Sequence, residues 1–278
     1  MIRILVDSSS DYTQKEIKEK DLWMVPLQVA FEEKVYMDGI TILKDEFYDK
    51  LISYDGFPKT SQPSPQAFLD YFEKAKEAGD TVLCILLSSA LSGTYQSALL
   101  AKNMVEYDSI YLVDSLSATA GVRILVSTAQ YLIQEGKKVE EIVEILESIK
   151  GKIRIFAAVD TLEYLCKGGR VSKTAAAIGE MTNIKPVITV NQEGKVEVIG
   201  KRLGINKTIS YILKKLEESQ PDLNYPFYTL YTYGTENLDK LIHRLEKEEY
   251  PIYHHLQLGA VIGTHIGPNA FGICYIEK

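Results

Sequence analysis

Val82-Leu-Cys-Ile-Leu-Leu-Ser-Ser-Ala-Leu-Ser-Gly-Thr94 decides the fold. Val82–Leu87 is an unbroken apolar run of the length and kind expected of a strand covered on both faces. Ser88–Gly93 is a polar loop, and it opens a helix from about Thr94 to Val105. The same order occurs twice more. Ile2–Val6 runs into Asp7-Ser-Ser-Ser-Asp11 and helical periodicity over Tyr12–Lys20, while Ile110–Val113 runs into Asp114-Ser115 and a helix through Ala118–Gln134. Three buried strands, each followed by Ser or Asp and then a helix, predict an α/β arrangement with a mainly parallel sheet and flanking helices. Ligands in such sheets bind beyond the carboxyl ends of the strands, where Ser8, Ser9, Ser92 and Ser115 would gather.

From Lys150-Gly-Lys152 onward the pattern changes. Strands are predicted at Ile153–Val159, Ile184–Val190, Lys195–Ile199, Phe227–Thr232, Tyr253–Gln257 and Phe271–Ile276, with helices near Asn206–Ser219 and Asn237–Lys247. Asn191-Gln-Glu-Gly194 reads as a hairpin turn, so this half is expected to be an α/β domain with a mainly antiparallel sheet. The chain length of 278 residues also favours two domains of about 100 to 150 residues. The expected division is 1–150 and 151–278. Phe57–Gln66, with its prolines, reads as a loop over the groove between them.

Composition excludes several classes. A hydrophobic share of 46% and a charged share of 25% are those of an ordinary globular protein. A net charge of −7 argues against nucleic acid as the main partner. Cys84, Cys166 and Cys274 are odd in number and lack Cys-x-x-Cys spacing, so neither a disulfide framework nor a zinc site is expected. Asp7 arrives too early for a signal peptide, and no apolar run approaches the ~18 residues that span a bilayer. A soluble, cytoplasmic protein is the expectation.

Leu258-Gly-Ala-Val-Ile-Gly-Thr-His-Ile-Gly-Pro-Asn-Ala-Phe-Gly272 places His265 in an apolar, glycine-flanked turn near the C-terminus. Its ordinary pKa near 6.5 would suit it to meet a carboxylate. In Lys59-Thr-Ser-Gln-Pro-Ser-Pro65, Ser64 and Pro65 read as N-cap and first residue of a helix over Gln66–Glu77, which leaves Thr60 and Ser61 unexplained. Ser92-Gly93, between a strand and a helix, would serve equally as a cap or as an anion-receiving helix start. His254 and His255 are adjacent and point to opposite faces of a strand, and no acid stands at zinc spacing from His265, so no metal site is expected. Asp7 lacks the second acid of an aspartate-nucleophile phosphatase, no Walker loop or Gly-x-Gly-x-x-G occurs, and no Gly-x-Ser-x-Gly surrounds Ser92. Arg170 and Arg202 read either as solvated charges or as a phosphate rim.

In this order and spacing, these residues resemble the DegV family across essentially the whole chain. The matching segments are Val6-Asp7-Ser8-Ser9, Thr60-Ser61-Gln62-Pro63-Ser64, Ser89-Ala-Leu-Ser-Gly-Thr-Tyr-Gln-Ser-Ala98, Asp114-Ser115, Asp160-Thr-Leu-Glu-Tyr-Leu-Cys-Lys-Gly-Gly-Arg170, Ile184-Lys-Pro-Val187 and Gly263-Thr-His-Ile-Gly-Pro268. The resemblance implies a two-domain protein holding one long-chain fatty acid in an interior tunnel, without a further cofactor. It also implies a place as the acyl-carrying subunit of fatty-acid kinase, with a transient contact at a membrane surface. There a separate, ATP-dependent kinase subunit phosphorylates the bound carboxyl to an acyl phosphate, which feeds phospholipid synthesis. By motif, Thr60, Ser92 and His265 correspond to the carboxyl-binding set, and Arg170 and Arg202 to basic positions near the phosphoryl-transfer and kinase-docking surface. Asn269 departs from the family's usual glycine after Gly-Pro, but Asn tolerates left-handed backbone. Two other classes compete with this carrier role: a stand-alone hydrolase or phosphotransferase using Ser92 with His265, and a small-molecule sensor.

Overall fold

The computed structural model describes residues 1–172 and 183–278. The strands are β1 Ile2–Asp7, β2 Trp23–Val25, β3 Gln28–Phe31, β4 Lys34–Met37, β5 Lys59–Ser61, β6 Thr81–Leu86, β7 Ile110–Asp114, β8 Ile153–Ala158, β9 Ile184–Val190, β10 Val196–Leu203, β11 Phe227–Tyr231, β12 Ile252–Gln257 and β13 Phe271–Ile276. The helices are α1 Gln14–Glu19, α2 Lys44–Ser53, α3 Pro65–Ala78, α4 Thr94–Val105, α5 Ala120–Gln134, α6 Val139–Lys150, α7 Glu163–Lys167, α8 Ile205–Ser219, α9 Glu236–Lys247 and α10 Ala260–Ile266.

The first sheet has the order β2-β1-β6-β7, and all its pairings are parallel. Alternation along β6 explains its unbroken apolar run. Val82, Cys84 and Leu86 pack on Phe68, Phe72, Ala98 and Ala101 of α3 and α4. Leu83 and Ile85 point the other way, into a cluster with Val122, Ile124 and Val126 of α5. Both faces are therefore dry, as parallel sheets require.

The second sheet has the order β10-β9-β8-β13-β11-β12 and is antiparallel except for the β11–β12 pair. Phe156, Phe227, Ile273 and Tyr275 pack on Ile209, Ile212, Leu241 and Leu245 of α8 and α9. Ile155, Ala157, Tyr228 and Cys274 point instead toward the α5 cluster, so the two sheets share one hydrophobic core.

Sequence reasoning missed a third, antiparallel sheet of order β4-β3-β5. It corrects the expected loop over Phe57–Gln66, because Lys59–Ser61 is a strand paired with Gln28–Ala30. Three residues give no periodicity to read, so this strand depends on its partner for definition. Ser64 does cap α3, accepting from Ala67 N at 3.3 Å with Pro65 in the first turn. Among the described residues no helix is long and apolar enough to cross a membrane.

The buried serines of the first sheet's loops hold those loops together. Leu27 N donates to Ser8 Oγ at 3.0 Å, and Ser115 Oγ donates to Ser117 O at 3.1 Å. Asp7 Oδ1 accepts from Ser9 N at 2.9 Å and Oδ2 from Leu87 N at 2.7 Å, which staples the ends of β1 and β6. The expected gathering of Ser8, Ser9, Ser92 and Ser115 around a ligand is corrected accordingly: of the four, only Ser92 lines the cavity described next.

Candidate functional site

Between the two sheets lies a cavity of about 370 Å³. Its wall on the second sheet follows the period of two: Ile155 and Ala157 on β8, Ile188 and Val190 on β9, with Val196 and Leu230 alongside. Register brings them together, since Ala157 pairs with Ile188 and Val190 with Val196. The opposite wall includes Leu27, Leu87, Ala118, Leu258 and Val261, so most of the lining is hydrocarbon. Thr60, Ser92, Thr119, Arg170 and His265 supply polar groups, and Arg170 is the one charged side chain among the described lining residues.

His265 lies in the last turn of α10, a seven-residue helix, which corrects the turn expected there. Two buried carboxylates hold the start of that helix. Asp11 Oδ1 accepts from Gly259 N at 2.7 Å, and Asp38 Oδ1 accepts from Ala260 N at 3.0 Å. The flanking glycine has a steric reason: Gly267 has φ 73°, and a Cβ there would meet the Tyr164 ring at 2.5 Å. At the far end of the motif Asn269 takes φ 60°, the left-handed conformation expected of it, and donates to Asp160 Oδ2 at 2.9 Å.

His265 Nε2 and Thr60 Oγ1 lie 2.8 Å apart, joining β5 to α10 across 205 residues of sequence. The other ring nitrogen, Nδ1, is buried without a partner. It faces Gly168, where a Cβ would come within 2.2 Å of Nδ1, so only glycine leaves room for the imidazole. An unpaired buried N–H costs more than an unpaired lone pair, which favours the tautomer protonated on Nε2. His265 then donates to Thr60, and the Thr60 hydroxyl is free to donate into the cavity. Burial, with help from the Arg170 charge, pulls the His265 pKa down to about 3. Without a carboxylate beside it, His265 is thus favoured in its neutral form.

Ser92 Oγ lies 2.8 Å from Thr94 Oγ1 and accepts from Thr94 N at 3.3 Å, at the mouth of α4, whose N-cap position falls to Gly93. Arg170 Nε and Nη2 donate to Leu91 O at 3.1 and 2.9 Å, and Nη1 to Gly168 O. The cation is thus tied to the segment before Ser92 and to the glycine behind His265. Thr60, Ser92, Arg170 and His265 are brought to one cavity. Arg202 is not: the register shift between Val198 and Gly200 turns its side chain toward α8, where the guanidinium stacks on Tyr211 at 3.7 Å. Ser92 bonds Thr94 and not His265, and His265 has no carboxylate on Nδ1, so the nucleophile-base relay of a stand-alone hydrolase is not assembled.

Sequence reasoning missed Gln62 and Thr119 in the lining, the buried Asp11, Asp38 and Arg123, and the half-buried Lys44 beside them. Only Arg123 left a sequence signal, as a lone charge within the apolar run Ala120-Gly-Val-Arg-Ile-Leu-Val126.

The model of a family described as "Uncharacterised protein, DegV family" matches residues 1–278. A DegV domain-containing protein of Caldanaerobacter subterraneus subsp. tengcongensis is 37% identical over 279 residues, covering 100% of this chain and 99% of the relative. Among solved structures, a DegV family protein from Thermus thermophilus, described for its fatty acid binding, superposes with TM-score 0.89 at 32% identity, covering 100% of this chain and 99% of that one. A stearic acid-binding protein from Eubacterium ventriosum superposes with TM-score 0.90 at 29% identity and the same coverage. With a family model spanning every residue and a relative of this similarity along its full length, the chain belongs to the DegV family.

Proposed function

We propose that this protein binds one long-chain fatty acid in the cavity and presents its carboxyl group to a separate, ATP-dependent kinase subunit. The product would be an acyl phosphate destined for phospholipid synthesis in the cytoplasm, with transient contact at a membrane surface for loading. Residues 1–150 and 151–278 are the two parts proposed to close over the ligand. The observation that carries this reading is the cavity itself, mostly hydrocarbon in lining yet holding Thr60, Ser92, Arg170 and His265. Solved relatives described as fatty acid binding support it.

The chemistry divides between tail and head. Burying about fourteen methylenes at ~0.8 kcal/mol each amounts to on the order of 11 kcal/mol of gross driving force. A bare carboxylate in such a cavity would be costly to bury. The Thr60 and Ser92 hydroxyls offset that cost by donating to it, and Arg170 contributes charge. His265 acts through Thr60, fixing its hydroxyl as a donor. Phosphoryl transfer demands alignment and charge stabilisation, and with no nucleotide-binding loop in its sequence this chain would take the phosphate from its partner. Arg202, on the outer face of the second sheet, is assigned in this proposal to the docking surface.

Native mass spectrometry of protein freshly purified from bacteria tests the reading. One bound species of fatty-acid mass per chain is expected. Protein that is consistently empty and takes up neither oleate nor palmitate would sink it. A second expectation concerns geometry: Gly168→Ala drives its Cβ into His265 Nδ1, breaks the His265–Thr60 hydrogen bond and weakens fatty-acid binding roughly tenfold. Fluorescent fatty-acid displacement measures this, and unchanged affinity would remove His265 from the proposed carboxyl set.

A further inference from the structure

Thr119 is the most anomalous residue in the cavity wall. It has φ 53° and ψ −124°, a conformation that suits glycine and strains a β-branched side chain. The strain is imposed from both sides: Thr119 N donates to Ser9 O at 3.0 Å, and its carbonyl accepts from Arg123 N at 3.2 Å as α5 begins. The side chain gains nothing visible in return. It is 3% exposed, and its Oγ1 is buried with no hydrogen-bond partner. It does not cap α5 either. The other hydroxyls of the wall differ, since Thr60 is paired with His265 and Ser92 with Thr94.

Glycine would relieve the backbone, and valine would remove the unpaired hydroxyl without changing shape. A site that keeps both penalties, and that lines the cavity, has the character of a ligand contact. We propose that the Thr119 hydroxyl bonds an oxygen of the bound acyl ligand. That oxygen belongs either to the carboxyl group or to a hydroxyl substituent on the chain. In the second case the cavity selects oxygen-bearing fatty acids over plain ones. This inference rests on the fatty-acid reading above.

The test uses the full chain stripped of lipid, with stearic acid and a series of monohydroxystearic acids bearing the hydroxyl at different carbons. Wild type is compared with Thr119→Val by calorimetry. If the oxygen is the carboxyl's, the variant loses roughly tenfold in affinity for every acid, stearic acid included. If the oxygen is on the chain, wild type prefers one hydroxylated isomer by about that factor, and the variant loses that preference while keeping its affinity for stearic acid. Wild type and variant with the same affinities for every acid would overturn the contact while leaving the fatty-acid reading intact; wild type that binds none of the acids would overturn both. Thermal unfolding without ligand gives an independent check. The variant should melt no lower than wild type, and a clear drop would reveal an internal partner for the hydroxyl and end the proposal.

Discussion

Arg123→Met is expected to lower the unfolding free energy by about 3–5 kcal/mol and the melting temperature by roughly 10 °C. The Arg123 side chain is 4% exposed, and it ends where three elements meet. Its Nε donates to Ser10 O at 2.9 Å, and Nη2 to Asp11 O at 2.7 Å. Nη1 pairs with Glu16 Oε1 at 2.7 Å, and the guanidinium lies 4.0 Å over the Tyr12 ring. Methionine fills the stem but takes the donor from Ser10 O and the counter-charge from Glu16, leaving Asp11 O to Lys44 and the carboxylate to Thr13, and a lost partner costs more than the pair itself was worth. Acid sensitivity should change with it. Burial pushes Glu16 upward, but its bonds to Arg123 and Thr13 outweigh that and hold its pKa at about 2. A carboxylate depressed in the folded state stabilises above its ordinary pKa and loses that contribution as pH falls toward about 2. The variant should therefore show a weaker loss of stability over that acidic range. Chemical denaturation across pH measures both effects, and a variant within 1 kcal/mol of wild type would show, at roughly the size of a single hydrogen bond, that this junction is held by something else.

Asp38→Asn should act in the opposite direction, raising stability at pH 8 by about 3 kcal/mol and leaving it unchanged near pH 4. Asp38 is 3% exposed, and its Oδ2 has no partner. Burial dominates, and despite hydrogen bonds from Ser8 and from the start of α10 the pKa rises from 3.8 to about 6. The folded protein thus holds this proton more tightly than the unfolded chain. Its contribution is fully present below the ordinary pKa and is lost as pH rises through about 6. Asparagine imitates the protonated form and keeps an acceptor for Ala260 N, so it removes the penalty of the buried charge. Asp11, at about 7 for the same reason, titrates beside it. The check is the difference between the two stability curves: flat below pH 4 and growing through pH 6. A variant less stable than wild type at pH 8 would mean that α10 needs the charge and not only the acceptor.

The sheets were legible where neighbours in sequence carry the information. Val82–Leu87 could be read because a strand buried on both faces must be apolar at every position, and α4 follows it within a few residues. Thr60, Ser92, Arg170 and His265 were named from motifs, and the fold brings all four to one cavity. The misses share one cause: each depends on what lies opposite. Lys59–Ser61 becomes a strand only against Gln28–Ala30, and Asp11 and Asp38 find their partners only at the start of α10, more than 200 residues away in sequence.

By itself, then, the order of residues determined the alternation of strands and helices, the parallel and antiparallel sheets and the membership of the family, since local periodicity and turn chemistry are written within a few residues. Tertiary structure alone decided that a hydrocarbon cavity lies between the sheets, that Thr60 reaches His265 across 205 residues, and which hydroxyl in the wall has no partner. The physical reason is that burial and hydrogen-bond pairing are properties of neighbours in space, and a sequence records only neighbours along the chain.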